Sequence, residues 1–139
     1  MKINKWSLLF LTFFLLPGCT ATQDAQVLAG GSAVELRSFQ TRVFDTTDMH
    51  VMMRAIIATL QDLDFIIDKA DEDLGMVTGT KLKGYQVRMT VITRARGETQ
   101  LAVRASALYN DKPIEDPLPY QDFFTALEKS LFLTGHQVD

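Results

Sequence analysis

Two stretches of the chain alternate apolar and polar positions with a period of two. Tyr85, Val87, Met89 and Val91 are interleaved with Gln86, Arg88, Thr90 and Ile92. Leu101, Val103, Ala105 and Ala107 are interleaved with Gln100, Ala102, Arg104 and Ser106. That period belongs to strands with one buried face. Ala95-Arg96-Gly97 between them reads as a three-residue hairpin loop, with Gly97 in the left-handed last position. Pairing Arg94 with Glu98 then places Val91 opposite Leu101, Met89 opposite Val103 and Val87 opposite Ala105. The same register sets Arg88 opposite Arg104 on the outer face, where like charges destabilise a sheet by roughly 0.2–1 kcal/mol.

A different period governs Met49, Met53, Ile56, Leu60 and Leu63, which recur as one helical stripe widened by Met52, Ala55 and Ile57. Asp45-Thr46-Thr47-Asp48 supplies capping chemistry ahead of it, so a helix is expected over Thr47 to Leu63. Phe65 to Asp68 and Met76 to Leu82 read as strands, separated by a polar, acidic turn. Arg37 to Phe44, with Phe39, Thr41 and Val43 on one side, reads as a first strand. Pro113, Pro117 and Pro119 mark Asn110–Pro119 as a loop. Tyr120, Phe123, Phe124, Leu127 and Leu131 make a second helix to Leu133, with Gly135 as its stop. The predicted fold is α+β, in the order β-α-β-β-β-β-α. An antiparallel sheet of about five strands would carry two helices on one face and leave the other partly wet.

The N-terminal segment follows neither period. Lys2 and Lys5 precede Leu8–Leu16, an apolar run broken only by Thr12, and Pro17, Gly18 and Cys19 follow. This is the layout of a secretory signal peptide, and the run is shorter than the roughly 20 residues a membrane span needs. Thr20 to Glu35 is rich in Ala, Thr, Gln, Gly and Ser and reads as a tether, with a coil span of roughly 20–24 Å. The expected organisation is a signal peptide over 1–18, a flexible tether over 19–35, one α+β domain over 36–134 and a tail over 135–139.

Composition narrows the picture. The chain has 139 residues, 47% of them hydrophobic, and one cysteine. That length suits one domain, and a lone cysteine excludes an intrachain disulfide framework and any multi-cysteine metal site. The net charge of −3 excludes a generic nucleic-acid binder. Loss of residues 1–18 takes two of the 14 basic residues and none of the 17 acidic ones, leaving 12 against 17, or −5.

Leu16-Pro17-Gly18-Cys19 resembles the lipobox of bacterial lipoproteins. Leu and Gly match the pattern, whereas Pro17 departs from it. The resemblance implies a diacylglyceryl thioether on Cys19, cleavage before Cys19 by signal peptidase II and acylation of the new amino group. Two or three acyl chains make a stable membrane anchor. In lipoproteins of two-membrane bacteria, an acidic residue after the cysteine favours inner-membrane retention. Thr20 stands there, which points to the outer membrane, facing the periplasm. The element order is also similar to that of small helix-grip envelope lipoproteins such as BamC, over about 100 residues and without a shared sequence motif.

Candidate chemistry is sparse. No GxSxG, HExxH, P-loop or GxGxxG is present, and His50 and His136 lack carboxylates or cysteines at metal spacing. Asp62, Asp64, Asp68, Asp71, Glu72 and Asp73 crowd together, but Asp71, Asp73 and Gly75 give only a fragment of a calcium loop. They read as a solvated turn, and no metal or cofactor is expected. Gly79 marks a bulge or close packing, and the methionines read as core. Arg88, Arg94 and Arg104 are the candidate partner-binding residues on the outer face, and Cys19 is the candidate lipidation site. The expectation is a non-enzymatic, lipid-anchored envelope module that binds a partner protein. The alternative is a periplasmic carrier of a small apolar ligand, held between the first helix and the sheet.

Overall fold

The computed structural model describes residues 33–83, 85–133 and 135–137. The signal peptide, Cys19 and most of the tether lie outside them. The described chain is α+β: three helices and an antiparallel sheet of seven strands. The described part of α1 covers 33–40. It is followed by β1 (Thr41–Phe44), α2 (Met49–Asp62), β2 (Ile66–Asp71), β3 (Met76–Leu82), β4 (Gln86–Arg96) and β5 (Gln100–Tyr109). The two-residue β6 (Lys112–Pro113), α3 (Leu118–Leu131) and the two-residue β7 (His136–Gln137) complete it. The strands lie in the order β2-β3-β4-β5-β1-β7, with β6 on β5. The two strands beyond the expected five are β6 and β7, too short to carry a period.

α1 corrects the sequence expectation of a tether to residue 35 and a strand from Arg37. Leu36 and Phe39, three residues apart on a helix, both pack against the core. Ser38 Oγ donates to the Glu35 carbonyl at 2.6 Å, and the Arg42 guanidinium donates to the Ser38 carbonyl at 2.9 Å, closing the helix end. The period of two through Phe39, Thr41 and Val43 does not mark the core face: in β1, Phe44 lies opposite buried Leu101 on the helix-covered face, whereas Thr41 and Val43 lie opposite Arg104 and Ala102 on the other.

α2 starts where its capping chemistry places it. The Asp48 carboxylate accepts from the Val51 amide at 2.9 Å, satisfying an orphan donor of the first turn. Its buried face is Met52, Met53, Ala55, Ile56, Thr59 and Leu60. α3 buries Tyr120, Phe123, Phe124 and Leu127. Both stripes meet the inner sheet face, where Val77, Met89, Val91, Leu101, Val103, Ala105 and Ala107 are buried. The methionines at 52, 53 and 89 are thus core residues. α3 ends at Phe132, which takes the left-handed conformation at φ 54°. Gly135 is not the stop; its amide donates to Glu128 Oε1 at 3.1 Å and leads into β7.

The β4–β5 register also differs from expectation. Val91 faces Ala105, Met89 faces Ala107 and Arg96 faces Gln100. The loop is Gly97-Glu98-Thr99, and Gly97 occupies its first position with φ 62°. The strands slide by four residues relative to the sequence reading, an even number that leaves every side chain on its expected face. Arg88 therefore faces Leu108, and Arg104 faces Ile92. The juxtaposition of Arg88 with Arg104 does not exist.

Gly79 sits where both expected reasons meet. The register of β2 against β3 shifts between Ile67 and Lys69, opposite Gly79 and Thr78. A Cβ at Gly79 would stand 3.2 Å from the Ile66 carbonyl oxygen and from Phe65 Cβ.

Candidate binding face

The helices cover one face of the sheet and leave the other to solvent-facing side chains. On that outer face Ile66, Thr80, Arg88 and Leu108 form one row across β2 to β5. Lys69, Thr78, Thr90 and Ser106 form the next. An open trough of about 690 Å³ runs between them, with Ile66, Leu82, Lys69 and Arg88 on its walls and threonines on its floor. Ile66 and Leu82 are 69% and 68% exposed, far more than aliphatics in a packed face. The floor is ordered by its own hydrogen bonds: Thr78 to Thr90 at 3.2 Å, and Thr80 to Asp68 at 2.6 Å.

The three candidate arginines play different parts. Among the described residues Arg88 makes no side-chain hydrogen bond or ion pair, so its guanidinium keeps its donors for another molecule. Arg94 donates to the Leu74 carbonyl and, at 3.0 Å, to its neighbour Thr93, fastening the turn between β2 and β3. Arg104 donates to Gln40 Oε1 at 3.4 Å, and Gln40 in turn reaches the Tyr120 hydroxyl at 3.3 Å. The three do not converge on one site.

Three of the acidic residues around the β2–β3 turn have partners, whereas Asp73 makes no side-chain hydrogen bond or ion pair among the described residues. Asp71 accepts from the Leu74 amide at 3.0 Å, Asp68 from Thr80, and Glu72 pairs with His50 at 3.1 Å. Asp64 takes Lys83 at 2.8 Å and Lys81 at 3.7 Å. The hydrogen bond and charge of Lys83 hold the Asp64 carboxyl below its ordinary pKa, and the same pair raises Lys83. His136 pairs with Asp45 at 3.3 Å; Gln100 is the larger influence that lowers the Asp45 pKa. Among the described residues no three His, Cys, Asp or Glu side chains gather where a metal ion could be held. Sequence reading missed the two histidine–carboxylate pairs because their partners lie 22 and 91 residues away.

A second cavity lies on the helix side, at the C-terminal end of α2. It is about 170 Å³, lined by Leu63, Phe65, Val87, Met89, Ile114 and Pro119, with Lys81, Tyr85 and Asp122 also on its wall. Lys81 is partly spent there, donating to the Leu63 carbonyl at 2.9 Å and lying over the Phe65 ring at 5.7 Å. Among the described residues no helix is long and apolar enough to cross a membrane. Compared with known proteins, the chain matches no family model and no curated sequence.

Proposed function

We propose that this protein is a non-enzymatic, lipid-anchored module of the bacterial envelope that docks a partner protein on the open face of its sheet. The anchor rests on Leu16-Pro17-Gly18-Cys19 and the apolar run before it. The docking face rests on one observation: Arg88, with its donors uncommitted, stands in a trough with exposed Ile66 and Leu82 on its walls. An arginine beside exposed aliphatics combines hydrogen-bonding reach with apolar area, the mixture found at energetic centres of interfaces. Tethering raises the module's effective concentration for membrane partners without any new contact.

The test is photo-crosslinking in intact cells from position 80 in the trough and from position 125 on the exposed side of α3. Capture of one defined envelope protein from position 80 only, lowered by Arg88→Glu and lost with Cys19→Ala, is the expected result. Equal capture from both positions, or indifference to Arg88→Glu, refutes the docking face.

The helix-side cavity favours a second reading, a carrier of a small apolar ligand. Its volume is close to the roughly 150 Å³ at which an apolar protein cavity holds one benzene-sized molecule. Native mass spectrometry after gentle extraction should then show a bound small molecule that Val87→Trp expels. An unliganded mass for wild-type protein refutes this reading.

A further inference from the structure

We infer that the end of the domain where α1 enters rests in the membrane interface, with a lipid headgroup layer as its partner. The inference builds on the lipid anchor proposed above and adds a direct contact between the domain and the surface. The strands define two ends. β4 begins at one end and β5 finishes there, so the β3–β4 and β5–β6 connections share it with the start of α3 and the finish of α2. The opposite end carries the β4–β5 loop, the β2–β3 turn and β7.

α1 enters at the first end. Glu35, Leu36 and Phe39 line a shallow cleft with Glu115 and Pro117, the segment that leads into α3. Thirteen residues, 20–32, separate Cys19 from Ala33. A chain of that length spans about 20 Å on average when unstructured, whereas the eleven residues of β4 alone run about 36 Å. The end that receives the tether is therefore the end nearest the lipid.

Among the described residues, that end also carries most of the large apolar side chains that are exposed. Leu82, Tyr85, Tyr109 and Leu118 are 46% to 68% exposed there, and Val34 on α1 is 65% exposed. Tyr85 and Tyr109 stand together, with ring centroids 5.4 Å apart. Tyrosines flanked by aliphatics suit the boundary between headgroups and acyl chains, since the ring is apolar and its hydroxyl wet. The opposite end exposes Val51, Leu74 and Phe132 without such a pair. Charges near the contact are mostly acidic: Lys83 is paired with Asp64 and Lys112 lies beside Asp111 in sequence, but Glu35, Asp62, Glu115, Asp116 and Asp122 are exposed as well. The attraction is therefore apolar in character, and salt strengthens it by screening these carboxylates from anionic headgroups. The contact leaves Arg88 and the threonine floor opening sideways, just above the headgroups.

The test uses the full-length lipidated protein in vesicles of phosphatidylethanolamine and phosphatidylglycerol. Since Cys19 is the chain's only cysteine and is blocked by lipid, Leu82→Cys and Leu74→Cys each place one fluorophore, at opposite ends. Headgroup spin-labelled lipid should quench the label at 82 at least twofold more than the label at 74. Tyr85→Glu with Tyr109→Glu should reduce quenching at 82 to the level at 74 while the circular dichroism spectrum stays unchanged. Equal quenching at both positions in protein whose mass shows an acylated Cys19 refutes the membrane contact and spares the anchor. A mass without acyl groups refutes the anchor, and this inference with it.

Discussion

Tyr120→Phe removes one oxygen atom and should cost about 2–3 kcal/mol. The Tyr120 side chain is fully buried, and its hydroxyl is saturated. It donates to the Ile114 carbonyl at 2.6 Å and accepts from the Ala107 amide and from Gln40 Nε2, both at 3.3 Å. A phenol has one proton to give and two lone-pair sites, so no capacity is left over. The Ala107 amide needs this partner because β1 pairs with β5 only as far as Arg104. A net hydrogen bond contributes about 1 kcal/mol, and a buried group left without a partner costs about 1–3 kcal/mol. One strong and two long bonds give the figure above, a large share of a typical total stability of about 5–15 kcal/mol. Urea unfolding followed by circular dichroism measures it directly, and the midpoint of thermal unfolding should fall by roughly 10 °C. The Ala107 amide should also lose hydrogen-exchange protection beyond that global change, since its own acceptor has gone. A loss below about 0.5 kcal/mol, with Ala107 protected as before, would show that the hydroxyl is not the junction of α1, α3 and β5.

Four other changes separate the backbone from the charges. Phe132→Gly should stabilise the domain by about 1 kcal/mol, because Phe132 is 95% exposed and held at φ 54°, a conformation glycine adopts without strain; calorimetry showing destabilisation would contradict that C-cap. Gly75→Ala should cost clearly more than Gly97→Ala in chemical denaturation. Both glycines have positive φ, at roughly 1–2 kcal/mol for any side chain, but a Cβ at Gly75 would lie 2.5 Å from the Thr93 carbonyl oxygen and one at Gly97 meets nothing within 4 Å. Lys83→Ala should raise the Asp64 titration midpoint seen by NMR, since Lys83 is the main cause of its depression. The pair's contribution holds above the unfolded carboxylate pKa and fades as pH falls through the depressed folded value. At the alkaline limit it fades as pH rises through the raised Lys83 pKa. An Asp64 midpoint unmoved by the substitution counts against the ion pair.

Much of the fold was legible because burial writes itself into period. The α2 stripe, β3 from Met76 to Leu82 and the buried aromatics of α3 follow from spacing alone. What escaped has local physical reasons. α1 is short, and its Leu36 and Phe39 run straight into β1, where adjacent Val43 and Phe44 are both buried and no alternation remains. β6 and β7 have two residues each, below the length at which any period exists. The helix-side cavity was visible only as a general possibility, since its wall joins Leu63, Val87 and Ile114 from distant parts of the chain. Cys19, singled out by motif, lies outside the described residues.

The hairpin register shows how a small geometric difference redirects a functional argument. An even slide conserves the faces, so the apolar pattern of β4 and β5 cannot tell the two registers apart. The turn decides between them. Gly97 satisfies a positive φ at either end of a three-residue loop, and the observed choice places polar Glu98 and Thr99 in the loop while Ala95 joins the ladder opposite Leu101. It also brings Tyr109 alongside Val87, within ring contact of Tyr85. The cluster of three arginines dissolves in consequence. Arg94 fastens a turn, Arg104 reaches Gln40, and Arg88 alone keeps its donors for another molecule. The binding face thus rests on the availability of Arg88 and not on repulsion between Arg88 and Arg104. Arg88→Ala should then weaken docking with little effect on stability, whereas Arg94→Ala should loosen the exposed β2–β3 turn that its guanidinium fastens, at a small cost because water can replace the donor at the Leu74 carbonyl.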